Sequence, residues 1–373
     1  MKILQIVPSY KPAYVYGGTI ESVARLCEAL ANAGTDVMVY TTTANGQEEL
    51  DVIPGKEQVI DGVKVIYFKR IFKDPFYITP SLWKQLYRDC RKYDVVHIHS
   101  WWNMIVIIAA FICKLQGVKM IISPRGMLSD YIRDNSKGKL KRFIHSAFGR
   151  SLLRVSRFHA TSEDEYNDCC KLIPGWAGFV IPNIVWLPPL TISKPPNECF
   201  TIIFLSRIHP KKGIELLMEA VSLLPTPCLL KIAGTGDENY IQQLKKQAVL
   251  LGVAEKVEWL GWTARNKKFT ALMQADLFAL TSYNENFGNV VIEALYAGTP
   301  VLISSEVGVC DFVDEYGLGW ICRPEINNIL LKLQEAIAGA EKRKHIMAVA
   351  PGLTKAYFSE KKLLPLYLHQ YGL

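Results

Sequence analysis

The sequence predicts two α/β domains in tandem, each a largely parallel sheet covered by helices on both faces. Three observations predict this. The 373 residues exceed what one hydrophobic core usually organises. Short strands that are apolar on both faces alternate with amphipathic helical repeats, as a sheet buried on two sides requires. That alternation lapses once, over the proline-rich residues 182–196, and then restarts as it would after an interdomain linker.

In the first half, residues 3–7 read as a strand, and Ile20, Val23, Ala24, Leu26, Cys27 and Leu30 repeat at helical spacing up to Gly34. Strands at 37–41, 63–68 and 95–99 follow, with a helix near 82–90 before the last of them. An apolar helix at 105–115 leads into a strand at 119–123, a basic helix, and a strand at 158–161. The apolar run at 104–113 falls short of the ~20 residues a membrane span needs, so it reads as a buried helix. In the second half, strands at 201–205, 228–233, 256–260, 277–281 and 301–304 alternate with helices at 214–224, 240–251, 269–274 and 289–297. Two Rossmann-like domains are expected, 1–190 and 191–352, facing a central cleft where strand C-termini and helix N-termini gather. Residues 353–373 read as a closing pair of helices, with a return to the first domain as one placement.

Composition narrows the class. Half the residues are hydrophobic and 21% charged, which fits an ordered globular protein. Nine cysteines without a C-x-x-C pair indicate neither a disulfide framework nor a zinc site, and a reducing cytoplasm is the simplest setting. The first apolar stretch is too short for a signal peptide. A net charge of +8 points to an anionic partner, whether a diphosphate, a lipid surface or a nucleic acid. Nucleic acid is the weakest of these, since no recognition motif or aromatic stacking array is present.

The chemistry concentrates after the linker. At 206–213 (S-R-I-H-P-K-K-G) a strand ends in a basic loop, where Arg207 can fork onto phosphate oxygens and Lys212 adds a point charge. Amides at the following helix N-terminus complete an anion cradle; the alternative is a solvated basic loop. In A-G-T-G-D, Gly234 and Gly236 allow close approach of a ligand or simply make a tight turn. Asn239 occupies the third glycine position of G-x-G-x-x-G, so no nicotinamide cofactor is expected. Next, Glu285, Asn286, Phe287, Gly288 and Asn289 run from a strand end into a helix that carries Glu293, an E-x7-E spacing. Carboxylates bind polyols well because each oxygen accepts several hydrogen bonds.

Together with A-G-T-P-V, these runs resemble the large family 4 of retaining GT-B glycosyltransferases (glycosyl transferases group 1), and P-R-G-M-L resembles its bacterial polysaccharide-assembly members. The resemblance implies transfer of a sugar from a UDP- or GDP-sugar to a glycan acceptor, lipid-linked in such systems, with retention and without a metal or other cofactor. It implies that Arg207 and Lys212 contact the diphosphate and that Glu285 meets the sugar hydroxyls beside the backbone of Phe287 and Gly288. Glu293 then holds the ribose, and Gly17 and Gly18 bring amides to the donor or acceptor.

His97 and His99 alternate on a strand and share one face, with His99 expected toward the cleft. Further ligands for a metal are not found, and the chain contains no D-x-D. Relatives carry a histidine where this sequence has Arg125; an arginine only donates, so it suits a phosphate or leaving group better than a proton shuttle. Residues 139–154 form a basic amphipathic stripe that would rest on anionic lipid, or else an ordinary surface helix. A UDP-sugar epimerase and a catalytically silent sugar-nucleotide or lipid-binding partner remain the alternatives.

Overall fold

The computed structural model describes residues 1–72, 77–129, 131, 149–191, 197–263 and 265–372. The chain divides into two units: Met1–Ile184 with Glu360–Leu373, and Val185–Ser359.

The first unit holds β1 (Lys2–Ile6), β2 (Asp36–Thr42), a small hairpin of β3 (Ala44–Asn45) and β4 (Glu48–Glu49), β5 (Glu57–Ile60), β6 (Val63–Phe68), β7 (Val95–His99), β8 (Met120–Ser123), β9 (Arg157–Ala160) and β10 (Gly178–Val180). Eight of these form one sheet in the order β10-β9-β8-β7-β1-β2-β6-β5. All neighbours are parallel except β5, which returns antiparallel along β6 at the edge. Helices α1 (Gly18–Asn32), α2 (Pro80–Asp89), α3 (Met104–Gln116), α4 (Arg150–Arg154) and α5 (Glu163–Leu172) connect the strands.

Alternation along β1 sorts the core. Leu4 and Ile6 join Leu82, Ile105 and Ala109, which places α2 and α3 on one face. Ile3 joins Val23, Leu26, Leu363 and Tyr367 on the other, so that face is covered partly by residues from the far end of the chain. Asn103 caps α3 by accepting from the Val106 amide at 3.0 Å, and left-handed Gly117 closes it.

The second unit contains β11 (Phe200–Leu205), α6 (Ile214–Ser222), β12 (Cys228–Ala233), α7 (Glu238–Leu250), β13 (Val257–Gly261), α8 (Arg265–Gln274), β14 (Leu277–Leu280), α9 (Asn289–Tyr296) and β15 (Val301–Ser304). It continues with α10 (Cys310–Glu315), β16 (Gly319–Cys322), α11 (Ile326–Ala338) and α12 (Ala340–Phe358); α13 (Glu360–Tyr371) then rejoins the first unit. The sheet is wholly parallel in the order β13-β12-β11-β14-β15-β16, the doubly wound arrangement of a dinucleotide-binding fold. Both sheets are thus Rossmann-like, as the sequence predicts.

Some boundaries differ from the sequence reading. The helix expected to begin near 353 begins at Ala340 and runs through Pro351. Residues 310–338 form α10, β16 and α11, none of which the periodicity announced. Of the basic stripe at 139–154, residues 139–148 lie outside the described residues, and Arg150–Arg154 is helical. Among the described residues, no helix is long and apolar enough to cross a membrane.

Candidate active site

In the second unit the strand order reverses between β11 and β14, and a parallel sheet opens a crevice at such a point, beyond the strand C-termini. Arg207 and Lys212 lie on the loop after β11, and Glu285 on the loop after β14. The loop after β11 is shaped locally. His209 Nδ1 accepts from the Lys211 amide at 3.1 Å and caps a single 3-10 turn, Pro210–Lys212. Gly213 then takes a φ of 62°, and a Cβ there would sit 2.3 Å from the Thr281 carbonyl oxygen.

That close approach lets the two loops lace together. Thr281 Oγ1 donates to Gly213 O at 2.8 Å, and the Tyr283 amide donates to Lys211 O at 2.9 Å. Across the lacing, Lys212 Nζ donates to Glu285 Oε2 in a salt bridge. Glu285 is fixed from its other side as well: its amide donates to Glu306 O at 2.8 Å, and its carbonyl accepts from the Gly308 amide at 2.9 Å.

The charges are unbalanced toward the cationic side. Burial works to raise the Glu285 pKa, but Lys212, Lys211 and Arg207 outweigh it, and the carboxyl sits below its ordinary value. Lys211 is pushed down to about 8, by burial first and then by Lys212 and Arg207, against the pull of Glu285. His209 is lowered by burial and by the same three cations. A site in which burial, and after it two neighbouring cations, weaken a lysine's hold on its proton favours the approach of an anion. Lys211 was given no role by the sequence reading, although it stands in the quoted run.

Glu293 is only 4% exposed, and its Oε1 accepts from Lys268 Nζ at 2.6 Å. Lys268 comes from α8 and was not singled out from the sequence. Gly288, at φ 98°, is the N-cap of α9; no side chain caps that end, and no acid lies in its first turn. Phe287 is buried and packs edge-on against Phe358 with ring centroids 5.9 Å apart, so its side chain serves the core and only its backbone borders the loop. Asn286 and Asn289 are half-buried beside it. Among the described residues, Ser282 Oγ and Asn284 Oδ1 are buried without a hydrogen-bond partner, both in the same loop.

Gly234 and Gly236 have a packing reason. A Cβ at either would lie 1.9 Å from a carbonyl oxygen, that of Ser206 or of Ile208. Their loop pairs with the one after β11 through Ser206 N to Ala233 O at 3.1 Å and Ile208 N to Thr235 O at 2.8 Å. Asp237 caps α7 by accepting from the Tyr240 amide at 3.0 Å.

In the first unit the order reverses at β1, between β7 and β2. Gly17, at φ 78°, caps α1 and Gly18 begins it, with no side-chain cap. Three non-glycine residues beyond the adjacent strands β7 and β8 are left-handed: Ser100 (φ 79°), Trp102 (φ 55°) and Arg125 (φ 57°). Strain of this kind costs ~1–3 kcal/mol each and gathers at functional sites. Arg125 Nη1 donates to Asn183 Oδ1 at 2.5 Å and Nη2 to His99 Nδ1 at 3.3 Å, while its Nε is buried without an acceptor. The ring of His99, expected toward the cleft, is fully enclosed, and Nε2 bonds Gln5 at 2.7 Å. Its route to any ligand is through Arg125. The rings of His97 and His99 do share a face, with centroids 4.2 Å apart, and hydrogen bonds occupy all four of their nitrogens.

Comparison with known proteins supplies the family. Residues 16–186 match the model described as Glycosyltransferase Family 4, and residues 191–350 match Glycosyl transferases group 1. An uncharacterized glycosyltransferase of Methanocaldococcus jannaschii is 28% identical over 84% of this chain and 83% of its own length. The lipopolysaccharide core biosynthesis glycosyltransferase LpsE of Rhizobium meliloti is 29% identical over 41% of each. Among solved structures, sucrose-phosphate synthase from Thermosynechococcus elongatus superposes with a TM-score of 0.79 at 18% identity, covering 99% of this chain and 98% of that one. Anabaena HepE in complex with UDP-glucose does so at 0.77 and 18%, covering 99% of each. The chain therefore belongs to the group 1 glycosyltransferases of family 4 and has their GT-B fold.

Proposed function

We propose that the protein transfers a sugar from a UDP- or GDP-sugar to a glycan acceptor, with retention of anomeric configuration and without a metal, in assembly of a bacterial surface polysaccharide. The observation that carries this is the Lys212–Glu285 pair, set with Arg207 where the strand order of the second sheet reverses. The cations there exceed the one carboxylate facing them, as a diphosphate requires in place of a metal. Arg207, Lys212 and the uncapped amides of α9 take the phosphate charge that develops as the sugar leaves. Glu285, held ionised, accepts hydrogen bonds from the sugar hydroxyls, and Glu293, whose Oε1 accepts from Lys268, meets the ribose.

The first unit receives the acceptor. Gly17 and Gly18 contribute amides, and Arg125 donates to the departing phosphate with His99 behind it. The solved complex of a structural neighbour with UDP-glucose supports a uridine donor, and the lipopolysaccharide relative supports a glycan product. A lipid-linked acceptor would bring the protein to an anionic membrane; exposed Arg150 and Arg154, with exposed Phe111 and Leu115 on α3, offer a basic and apolar face.

The test is a panel of UDP- and GDP-sugars, with and without glycan acceptors and with EDTA throughout. Acceptor-dependent release of nucleoside diphosphate supports transfer, and the anomeric signals of the product decide retention. An epimerised donor without acceptor, or binding without turnover, overturns the reading.

A further inference from the structure

Seven groups in the core of the first unit form one hydrogen-bonded chain whose direction is fixed at both ends. At one end stands Arg125, which can only donate; Nη2 donates a hydrogen bond to His99 Nδ1 at 3.3 Å. His99 therefore carries its own hydrogen on Nε2 and donates to Gln5 Oε1 at 2.7 Å. Gln5 Nε2 donates to the Tyr371 hydroxyl at 3.4 Å, and Tyr371 meets His97 Nδ1 at 2.7 Å. His97 Nε2 lies 2.7 Å from Ser123 Oγ, which lies 2.7 Å from His159 Nδ1. At the other end, His159 Nε2 faces the carbonyl of Ile181 at 2.8 Å, a group that can only accept.

A donor-only start and an acceptor-only finish leave one consistent assignment: every member between them accepts once and donates once. An additional proton on His99 would set its Nδ1–H against the Arg125 donor. Burial and the Arg125 charge both press these imidazoles toward neutrality, in agreement with that assignment.

We propose that Tyr371 is a positioning residue for Arg125, acting through Gln5 and His99. The proposal rests on the role given above to Arg125 at the departing phosphate. Tyr371 accepts from the Gln5 amide and so holds Gln5 Oε1 toward His99, which keeps His99 Nδ1 free of hydrogen and able to receive the guanidinium. Without the hydroxyl, the Gln5 amide is free to rotate and present its NH2 to His99 Nε2. His99 then takes its proton on Nδ1 and confronts the Arg125 donor with a second donor. The guanidinium shifts, although Tyr371 never touches it.

Tyr367, on the same helix and equally buried, provides the control. Its hydroxyl donates to Pro182 O at 3.0 Å and meets His159 Nε2 at 3.2 Å, a side branch at the end of the chain farthest from Arg125, where the Ile181 carbonyl still fixes the proton on Nε2. The experiment compares Tyr371→Phe with Tyr367→Phe in the full-length protein. Imidazole nitrogen NMR reads the tautomer of His99, and UDP release from UDP-glucose reads turnover. Tyr371→Phe is expected to move the His99 nitrogen signals toward the Nδ1–H pattern and to lower kcat by about tenfold, with donor KM within about twofold. Tyr367→Phe leaves both readouts at wild-type values. Should Tyr371→Phe fail to fold, Ser123→Ala cuts the same chain on another element and is expected to move His99 in the same sense. Unchanged His99 signals in the chain variants, or equal effects from Tyr367→Phe, overturn the proposal. If the wild type releases no UDP, the functional reading is in question and the NMR comparison alone decides the chain.

Discussion

Lys212 Nζ donates to Glu285 Oε2, joining the loop that follows β11 to the loop that follows β14. Neither residue needs the other for folding in the way a core pair would, because both lie at strand ends on a laced loop platform. Their value lies in keeping a cation and a carboxylate side by side in a place with too few anions.

That reading separates stability from activity. Lys212→Ala strands a half-buried carboxylate and is expected to cost ~1–3 kcal/mol in thermal melts, below the ~3–5 kcal/mol of a fully buried pair. It should also lower kcat by about 10²- to 10³-fold. The double variant Lys212→Met with Glu285→Gln removes both charges, so its stability should return to within ~1 kcal/mol of wild type while turnover stays lost. Recovery of turnover in the double variant would show that the pair is structural only.

Lys211 gives the site a pH limb. Burial first, then Lys212 and Arg207, working against Glu285, bring its pKa down to about 8. It is charged below that pH and loses its charge as pH rises through it. Attraction for a diphosphate follows the charge, so kcat/KM for the donor should fall above pH about 8. Bound phosphate favours the cation, so the limb in kcat lies at higher pH. Lys211→Arg, whose cation does not titrate in this range, should abolish the limb; a profile identical to wild type would remove Lys211 from the site.

Lys268 and Glu293 invert the ordinary expectation for a surface lysine. Lys268→Met removes the cation bonded to a carboxylate that is 4% exposed and is expected to destabilise by ~3–5 kcal/mol in denaturant titrations. Glu293→Gln keeps an acceptor for Lys268 but removes the charge opposite its buried ammonium, so it too is expected to destabilise, by ~1–3 kcal/mol. Its donor KM should rise about tenfold if the carboxylate meets the ribose.

The sequence made the strands of both sheets legible because most are apolar on both faces, and β11 to β15 lie within a residue or two of their expected places. It did not announce β10, three residues long, or β5, an exposed antiparallel edge with no buried face to set a pattern. The motif residues of the second unit were readable because each is anchored to a strand end close in sequence. Lys268 was not: it reaches Glu293 from another helix, and nothing local marks it. The same holds for Tyr371, which meets His97 across 274 positions.

Gly234 tests the lacing of the loops. At φ 140° and with Ser206 O 1.9 Å from a would-be Cβ, Gly234→Ala is expected to cost at least ~2 kcal/mol and to weaken donor binding. Gly252→Ala, also at positive φ but with no atom within 4 Å, should cost only ~1 kcal/mol and leave donor binding unchanged. Similar behaviour of the two variants would mean that backbone strain, not loop contact, sets the cost.

The return of Glu360–Tyr371 to the first unit has a consequence for the order of synthesis. A ribosome that has released residues 1–184 has made a sheet one of whose faces still lacks Leu363, Tyr367 and Tyr371. The missing cover is translated only after all of Val185–Ser359. The nascent first unit thus waits, with apolar surface open, for the second to be finished. The Gln5 amide, which supports Arg125 through His99, gains the Tyr371 hydroxyl only then.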